Sequence, residues 1–232
     1  MSTDREITFE RVSVEFPPRT ALRDVSLRLS QRRIAVIGAN GSGKSTFART
    51  LNGLVAPTAG ALRVHGLDPA REPTRLRRRV GFVFSNPDTQ IIMPTVAEDA
   101  AFSLRRRGLS RAEVRSRVAA ALDRVGLSGH ADSPAHSLSG GQKQLLALCA
   151  VLIGEPSLVV ADEPTTYLDA ANSRRVARLL LDQMPQQLVL VTHDLRLAAR
   201  CDIALRFESG RLVDHGDPLP VITRYEDDQE RA

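Results

Sequence analysis

Tryptophan is absent from this sequence, cysteine occurs twice, lysine is nearly absent, and no long apolar run is present. Each shortage excludes something. The longest uninterrupted apolar stretch, Leu145 to Ile153, falls far short of the ~20 residues that cross a bilayer as a helix. The opening Met-Ser-Thr-Asp-Arg-Glu is polar with no apolar segment behind it, so no secretory signal is expected. These features predict a soluble chain that reaches a membrane only through a partner. Cys149 and Cys201 allow one bridge at most and lack metal-ligand spacing, so both are expected to be reduced packing residues. Aromatic residues make up 4% of the chain, which leaves little for stacking nucleobases. The arginine runs at 75–79 and 105–107 are therefore read as solvated faces, despite a net charge of +5, and no nucleic-acid partner is expected. Only Lys44 and Lys143 are lysine. In a chain that elsewhere writes arginine, Lys44 marks a place where the forked guanidinium does not fit.

What is present suits one α/β domain. The 232 residues are 42% hydrophobic, enough for a core, with no internal repeat or low-complexity tract. Residues 7–16 and Val25–Leu29 alternate apolar and polar, as half-buried antiparallel strands do. Ile34–Ile37, Val80–Phe84, Leu158–Ala161 and Leu188–Thr192 are short, continuous, β-branched-rich runs, the pattern of strands covered on both faces in a parallel sheet. Ile203–Phe207 and Arg211–Asp214 read as a closing hairpin across Glu208-Ser209-Gly210. Between the runs at 80–84 and 158–161 the texture turns helical, and Ser110 with Glu113 forms a capping box for a helix reaching about Val125. The predicted organisation is a single domain over 1–232: an α/β core from 1–85 and 141–232, with an N-terminal antiparallel β subdomain, and an inserted helical subdomain over 86–140. The C-terminal Glu-Asp-Asp-Gln-Glu-Arg is expected to fray.

Gly38-Ala39-Asn40-Gly41-Ser42-Gly43-Lys44-Ser45 fits the phosphate-cradling pattern G-x-x-x-x-G-K-[ST], between a strand and a helix running from Thr46 to about Gly53. Glycines let backbone N–H groups turn inward around phosphate oxygens, and the helix N-terminus adds roughly half a positive charge. Lys44 would reach the β- and γ-phosphates, and Ser45 would offer its hydroxyl to Mg²⁺. The apolar run 158–161 ends in Asp162 and Glu163, which places Asp162 to hold the Mg²⁺ through its water and Glu163 to take a proton from attacking water. Leu138-Ser139-Gly140-Gly141-Gln142 precedes an apolar helix, Lys143–Ile153, and forms a second anion-binding concavity that a chain with one phosphate loop has no internal use for.

In motif order, these residues resemble the ABC ATPase family over nearly the whole chain: phosphate loop at 38–45, signature at 138–142, Walker B at 158–163, D-loop around Tyr167-Leu168-Asp169, and His193 in Val-Thr-His-Asp. The resemblance implies a P-loop NTPase fold and hydrolysis of ATP with Mg²⁺. It implies a head-to-tail dimer, with both half-sites intact for two identical chains. Residues 38–46, Thr46 included, would hold the nucleotide of one chain, while Ser139, Gly140, Gly141 and Gln142 of the other cover its γ-phosphate. By the same resemblance Asp169 acts across that interface, His193 contacts the γ-phosphate and attacking water, and Phe16 stacks on adenine.

The stretch Val80–Phe102, with Asn86-Pro87-Asp88, Gln90 and Pro94-Thr95-Val96, looks like the energy-coupling-factor importers, bacterial transporters of vitamins and of cobalt or nickel. That resemblance implies a transmembrane coupling subunit docking at Ser85–Phe102, a separate membrane protein that binds substrate, and a position on the cytoplasmic face of the cell membrane. Asp88, Glu98 and Asp99 are candidates to pair with arginines of the coupling subunit; the alternative is that they serve a helix N-terminal turn. The sequence ends soon after Gly216-Asp217-Pro218, without room for the C-terminal extension of many such ATPases. That shortness resembles the biotin importers first and the cobalt or nickel importers second. One departure stands out: position 85 carries Ser where the family usually has the Q-loop glutamine, and either Ser85 acts through water or Gln90 substitutes. The competing readings are a soluble ABC ATPase of DNA repair or translation, which normally carries two cassettes or a coiled-coil insert, and a P-loop kinase, which would leave 138–142 without purpose.

Overall fold

Alternation in the first thirty residues builds an antiparallel sheet. The computed structural model describes residues 5–105 and 107–231. Met1–Asp4 of the polar opening, Arg106 of the second arginine run and Ala232 lie outside the described residues. Strand β1 (Ile7–Phe16) buries Ile7, Phe9, Val12 and Val14, and strand β2 (Arg19–Leu29) buries Leu22, Val25 and Leu29. The slip in alternation is a bulge, where Arg11 adopts φ 49° and the pairing with β2 jumps from Phe9 to Val12. Strand β2 starts well before Val25. Its first half pairs with the end of β1 through two further register shifts, although its sequence is polar and rich in arginine. A third strand, β4 (Ala59–Val64), completes the order β2-β1-β4. Nothing local announces it: Ala-Gly-Ala-Leu-Arg-Val carries one β-branched residue, and the strand exists because β1 offers it a partner.

The continuous apolar runs form the six-stranded sheet, β3 (Arg33–Ile37), β5 (Val80–Val83), β6 (Leu158–Asp162), β7 (Gln187–Val191), β8 (Ile203–Glu208) and β9 (Arg211–Gly216), in the order β5-β6-β7-β3-β8-β9. All neighbours are parallel except β8 and β9, the expected hairpin. Because side chains alternate across a strand, each run feeds two cores. Ile34, Val36, Val160 and Val189 pack towards the antiparallel sheet and helix α1 (Lys44–Leu51). Ala35, Ile37, Val159 and Leu190 pack towards the helices on the other face.

That second face carries α3 (Val96–Phe102), α4 (Arg111–Arg124), α5 (Gly140–Leu152) and α6 (Ala170–Arg178). The shorter α2 (Pro73–Arg79) precedes β5, and α7 (Leu195–Ala198) follows β7. The capping box at Ser110 and Glu113 is formed, and α4 ends one residue short of Val125. Val96, Ala100, Leu104, Val118 and Leu122 share one apolar cluster with the sheet residues, so the helices of the 86–140 segment sit on the core with no solvent layer between.

The C-terminus departs from expectation. Residues Pro218–Glu230 are helix α8, with Val221 and Ile222 buried and Pro218 at its first turn. The acidic end does not fray, because Arg206, buried on β8, binds Asp228 at 2.7 Å while Arg224 binds Asp214 at 2.7 Å. Cys149 and Cys201 are unbridged and buried, and burial pushes both thiols up to about 12, so they are neutral packing residues as expected. Among the described residues no helix is long and apolar enough to cross a membrane.

Candidate active site

The phosphate loop connects β3 to α1 as its spacing required. Gly38 has φ 141°, and a Cβ there would strike the carbonyl of Phe207. Gly43, the N-cap of α1, has φ 106°, and a Cβ would lie 2.7 Å from the carbonyl oxygen of Ala21. Neither position tolerates a side chain. The loop is braced from outside: Gly210 donates its N–H to Ser42 O at 2.9 Å, and Arg23 donates to Gly210 O at 2.8 Å. The β8–β9 turn and strand β2, both distant in sequence, thus brace the cradle.

Lys44 is 6% exposed and its Nζ donates to the carbonyls of Gly38 and Ala39, each at 2.8 Å. Burial pulls its amine below the ordinary lysine range, and the carboxylates of Glu163 and Asp162 pull the other way. The compact ammonium fits between two carbonyls where a planar guanidinium has no room, in keeping with a lysine in an arginine-writing chain. Ser42 adds a donor suited to an anion. Its hydroxyl is buried in the cradle and finds no hydrogen-bond partner among the described residues.

Ser45 Oγ donates to Asp162 Oδ1 at 3.0 Å, which joins the first turn of α1 to the end of β6. Burial raises the Asp162 carboxyl above the usual range, opposed by the Ser45 hydrogen bond and by Arg49. A buried carboxylate short of positive charge beside a hydroxyl is a hard-oxygen pair that fits Mg²⁺. Among the described residues no cluster of three or more His, Cys, Asp or Glu is available to hold a metal, so waters and phosphate oxygens would complete the shell.

Glu163 sits at φ 53°, a left-handed conformation that costs a non-glycine residue of order 1 kcal/mol or more and is maintained by its surroundings. Its N–H donates to Val191 O at 3.0 Å. Its Oε2 accepts from Thr166 Oγ1 at 3.0 Å and meets His193 Nδ1 at 2.5 Å. The carboxylate is aimed from two sides. His193 is mostly exposed, and its partner here is Glu163.

Lys44, Ser45 and Glu163 open on a cleft of about 790 Å³, with Phe16 (51% exposed) at its rim and the rest of Asn40–Thr46 in its wall. Arg19 and Arg23 of β2 also line it. Sequence reading missed both, because exposed arginines on a polar strand look like any others in this chain.

Two groups of expected site residues lie apart from this cleft. Ser139 caps α5 in a box with Gln142, accepting from Gln142 N at 3.3 Å, and Asp169 caps α6. None of Ser139, Gly140, Gly141, Gln142 or Asp169 lines the cleft of its own chain. Ser139 and Gly140 are exposed whereas Gly141 is buried, so the three residues are not equivalent donors.

The 84–102 segment corrects one expectation. Asp99 is 3% exposed and accepts the N–H groups of Ile92 at 2.9 Å and Met93 at 3.1 Å, so it clamps the loop before α3 and offers nothing to a docking partner. Glu98 is exposed and closes the capping box with Thr95, the helix-turn role given as the alternative. Asp88 is 64% exposed but already binds Lys143 of α5 at 2.7 Å. Gln90 is engaged at both ends, accepting from Phe84 N at 3.2 Å and donating to Ala147 O at 3.4 Å, so it braces the loop here. Each amide left without its acceptor costs about 1–3 kcal/mol. Asp99→Ala therefore lowers the unfolding free energy by at least ~1 kcal/mol in a denaturant titration, and an unchanged midpoint would show that the loop needs no such clamp.

Comparison with known proteins adds the family context. The ABC transporter family model matches residues 22–166. The biotin transport ATP-binding protein BioM of Rhizobium etli is 46% identical over 219 residues, covering 94% of this chain and 97% of that protein. The energy-coupling factor transporter ATP-binding protein EcfA1 of Lacticaseibacillus paracasei is 40% identical over 208 residues, covering 88% of this chain and 75% of that one. Among solved structures, cbiO1 of Clostridium perfringens, described as part of the ABC transporter complex cbiONQ, aligns with a TM-score of 0.84 at 30% identity, over 98% of this chain and 94% of that chain.

Proposed function

This chain belongs to the ABC transporter family as an ATP-binding, ATP-hydrolysing subunit, and from that premise we propose that it powers an energy-coupling-factor importer, with biotin as the first candidate substrate and cobalt or nickel the second. The single observation that carries the hydrolytic reading is the convergence of Lys44, Ser45 and a doubly anchored Glu163 on one cleft, with Asp162 bonded to Ser45 behind it. The likeness to BioM and EcfA1 supports the importer class, and the biotin choice rests on BioM.

In this reading the adenine stacks on Phe16 and the phosphates lie along 38–46. Lys44 exchanges its bonds to Gly38 and Ala39 for phosphate oxygens, and Ser42 gains the partner it lacks. Mg²⁺ held by Ser45 and, through water, by Asp162 would neutralise phosphate charge. Glu163 accepts the proton of the attacking water, and His193 and Thr166 fix the carboxylate so that little reorganisation remains. The exposed Ser139–Gly140 edge covers the γ-phosphate of a second, identical chain, and Asp169 acts at the same interface. Residues 1–85 and 141–232 serve as the nucleotide-binding core and 86–140 as the helical subdomain. The transmembrane subunit docks along 85–102 on the cytoplasmic side of the membrane. Asp88, Glu98 and the exposed apolar Ile92 and Phe102 suit a partner with basic and apolar side chains.

Purification in mild detergent is expected to bring down a multi-spanning coupling protein and a small substrate-binding membrane protein, and cells lacking this chain should lose uptake of labelled biotin. Loss of cobalt or nickel uptake instead would reassign the substrate. Recovery of nucleic acid with no membrane protein would overturn the transport reading. Asp88→Arg places a second cation against Lys143 and reverses the charge at this point of the 85–102 segment, so assembly with the coupling protein should fail while ATP affinity of the free chain is kept. Normal assembly by that variant would move the docking surface elsewhere.

A further inference from the structure

Helices α5 and α6 start side by side, and one side chain joins their first turns. Gly141, the second residue of α5, is buried, and a Cβ built on it would collide with the side-chain amide of Asn172. Asn172 is the third residue of α6. Its backbone N–H donates to Asp169 Oδ1 at 2.8 Å and its Nδ2 donates to Asp169 Oδ2 at 2.8 Å. The carboxylate that caps α6 thus spends both oxygens on Asn172 and fixes the amide lying over Gly141. Here glycine is required by crowding, since Gly141 is helical and its φ is not in the left-handed region.

We propose that Asn172 is a positioning residue that locks the first turn of α5 to the first turn of α6, so that the exposed Ser139–Gly140 edge and the Asp169 turn are presented to a second copy of this chain as one rigid surface. The proposal rests on the dimer reading given above. Donors at a helix N-terminus serve an anion only when their direction is held. Ser139 fixes α5 along its own axis through its capping box with Gln142. Asn172 fixes it sideways, against α6. A side chain at 141 would wedge the two helices apart, and a shorter one at 172 would let α5 drift.

The test uses the full chain in a Glu163→Gln background, with ATP-dependent dimerisation measured by sedimentation and ATP affinity of the monomer measured with a fluorescent ATP analogue. Gly141→Ala should weaken dimerisation by about 10–100-fold, and Asn172→Gly by several-fold, with monomer affinity unchanged in both. Gly141→Ala combined with Asn172→Gly should return to the level of Asn172→Gly alone, because the new methyl occupies the vacated space. Asn172→Asp is nearly isosteric and repels Asp169, so it too should weaken dimerisation at unchanged monomer affinity. The proposal is overturned if the losses of Gly141→Ala and Asn172→Gly simply add, if Asn172→Gly and Asn172→Asp dimerise like the parent, or if monomer affinity falls in step with dimerisation. A Glu163→Gln parent that stays monomeric with ATP overturns the dimer reading itself, and that outcome is visible before any substitution at 141 or 172 is made.

Discussion

Glu163→Gln is expected to bind ATP as the parent does and to hydrolyse it about 10²–10⁴-fold more slowly, the usual worth of a general base. The substitution keeps the shape of the side chain and one oxygen. Thr166 Oγ1 and His193 Nδ1, which hold Glu163 Oε2 at 3.0 Å and 2.5 Å, can both still donate to that oxygen. What disappears is the negative charge and the capacity to take a proton. The backbone of Glu163 stays at its left-handed φ because its N–H is bonded to Val191 O and not to its own side chain. The loss should therefore fall on the rate of the chemical step and leave nucleotide affinity alone. With ATP uncleaved, the two chains should also stay closed around it, seen as a dimer on gel filtration with ATP and Mg²⁺. Hydrolysis at a near-parental rate would remove Glu163 from the base role and direct attention to His193, which is mostly exposed.

Lys44→Ala should act one step earlier, on binding. Charge-assisted hydrogen bonds are worth about 1.5–3 kcal/mol each, so losing them to the phosphates should weaken ATP by at least ~10–100-fold at about 1.4 kcal/mol per decade. The electrostatics of the cleft add to this. Asp162 and Glu163 now balance the ammonium, and without it an incoming polyphosphate meets two carboxylates. The variant should elute as a monomer with ATP, whereas Glu163→Gln should not. Equal dimerisation of the two would show that the γ-phosphate is not what joins the chains. Lys44→Arg should fail to restore affinity, because the ammonium occupies a buried gap between two carbonyls 2.8 Å away. Restoration by arginine would dismiss the reading of why this chain keeps lysine there.

Much of this molecule was legible before any coordinates, and for a physical reason. The parallel strands announce themselves because both faces are buried, which forces unbroken apolar runs at Ile34–Ile37, Leu158–Ala161 and Leu188–Val191. The phosphate loop is legible because Gly38 and Gly43 have no substitute at their φ values and clearances. Ser110 with Glu113 specifies a helix start through contacts three residues apart, which sequence spacing records directly. Chemistry that depends on neighbours in the chain, such as Asp162 and Glu163 at one strand end, is readable in the same way.

What tertiary structure decided are pairings between segments far apart. Strand β4 exists because β1 has a free edge. The acidic C-terminus is helical because Arg206, on a strand 22 residues earlier, holds Asp228. Asp99 and Asp88 share one spelling, yet one is turned inward onto the amides of Ile92 and Met93 while the other stands in solvent bound to Lys143. A carboxylate carries no mark of which it will do. Gly141 likewise reads as one more glycine of an anion-binding turn, and only the packing of α5 on α6 reveals that its missing side chain makes room for Asn172. Local spacing records what a residue can do; which partner it meets is set by how helices and sheets pack, and packing averages over too many distant residues to be spelled in any one of them.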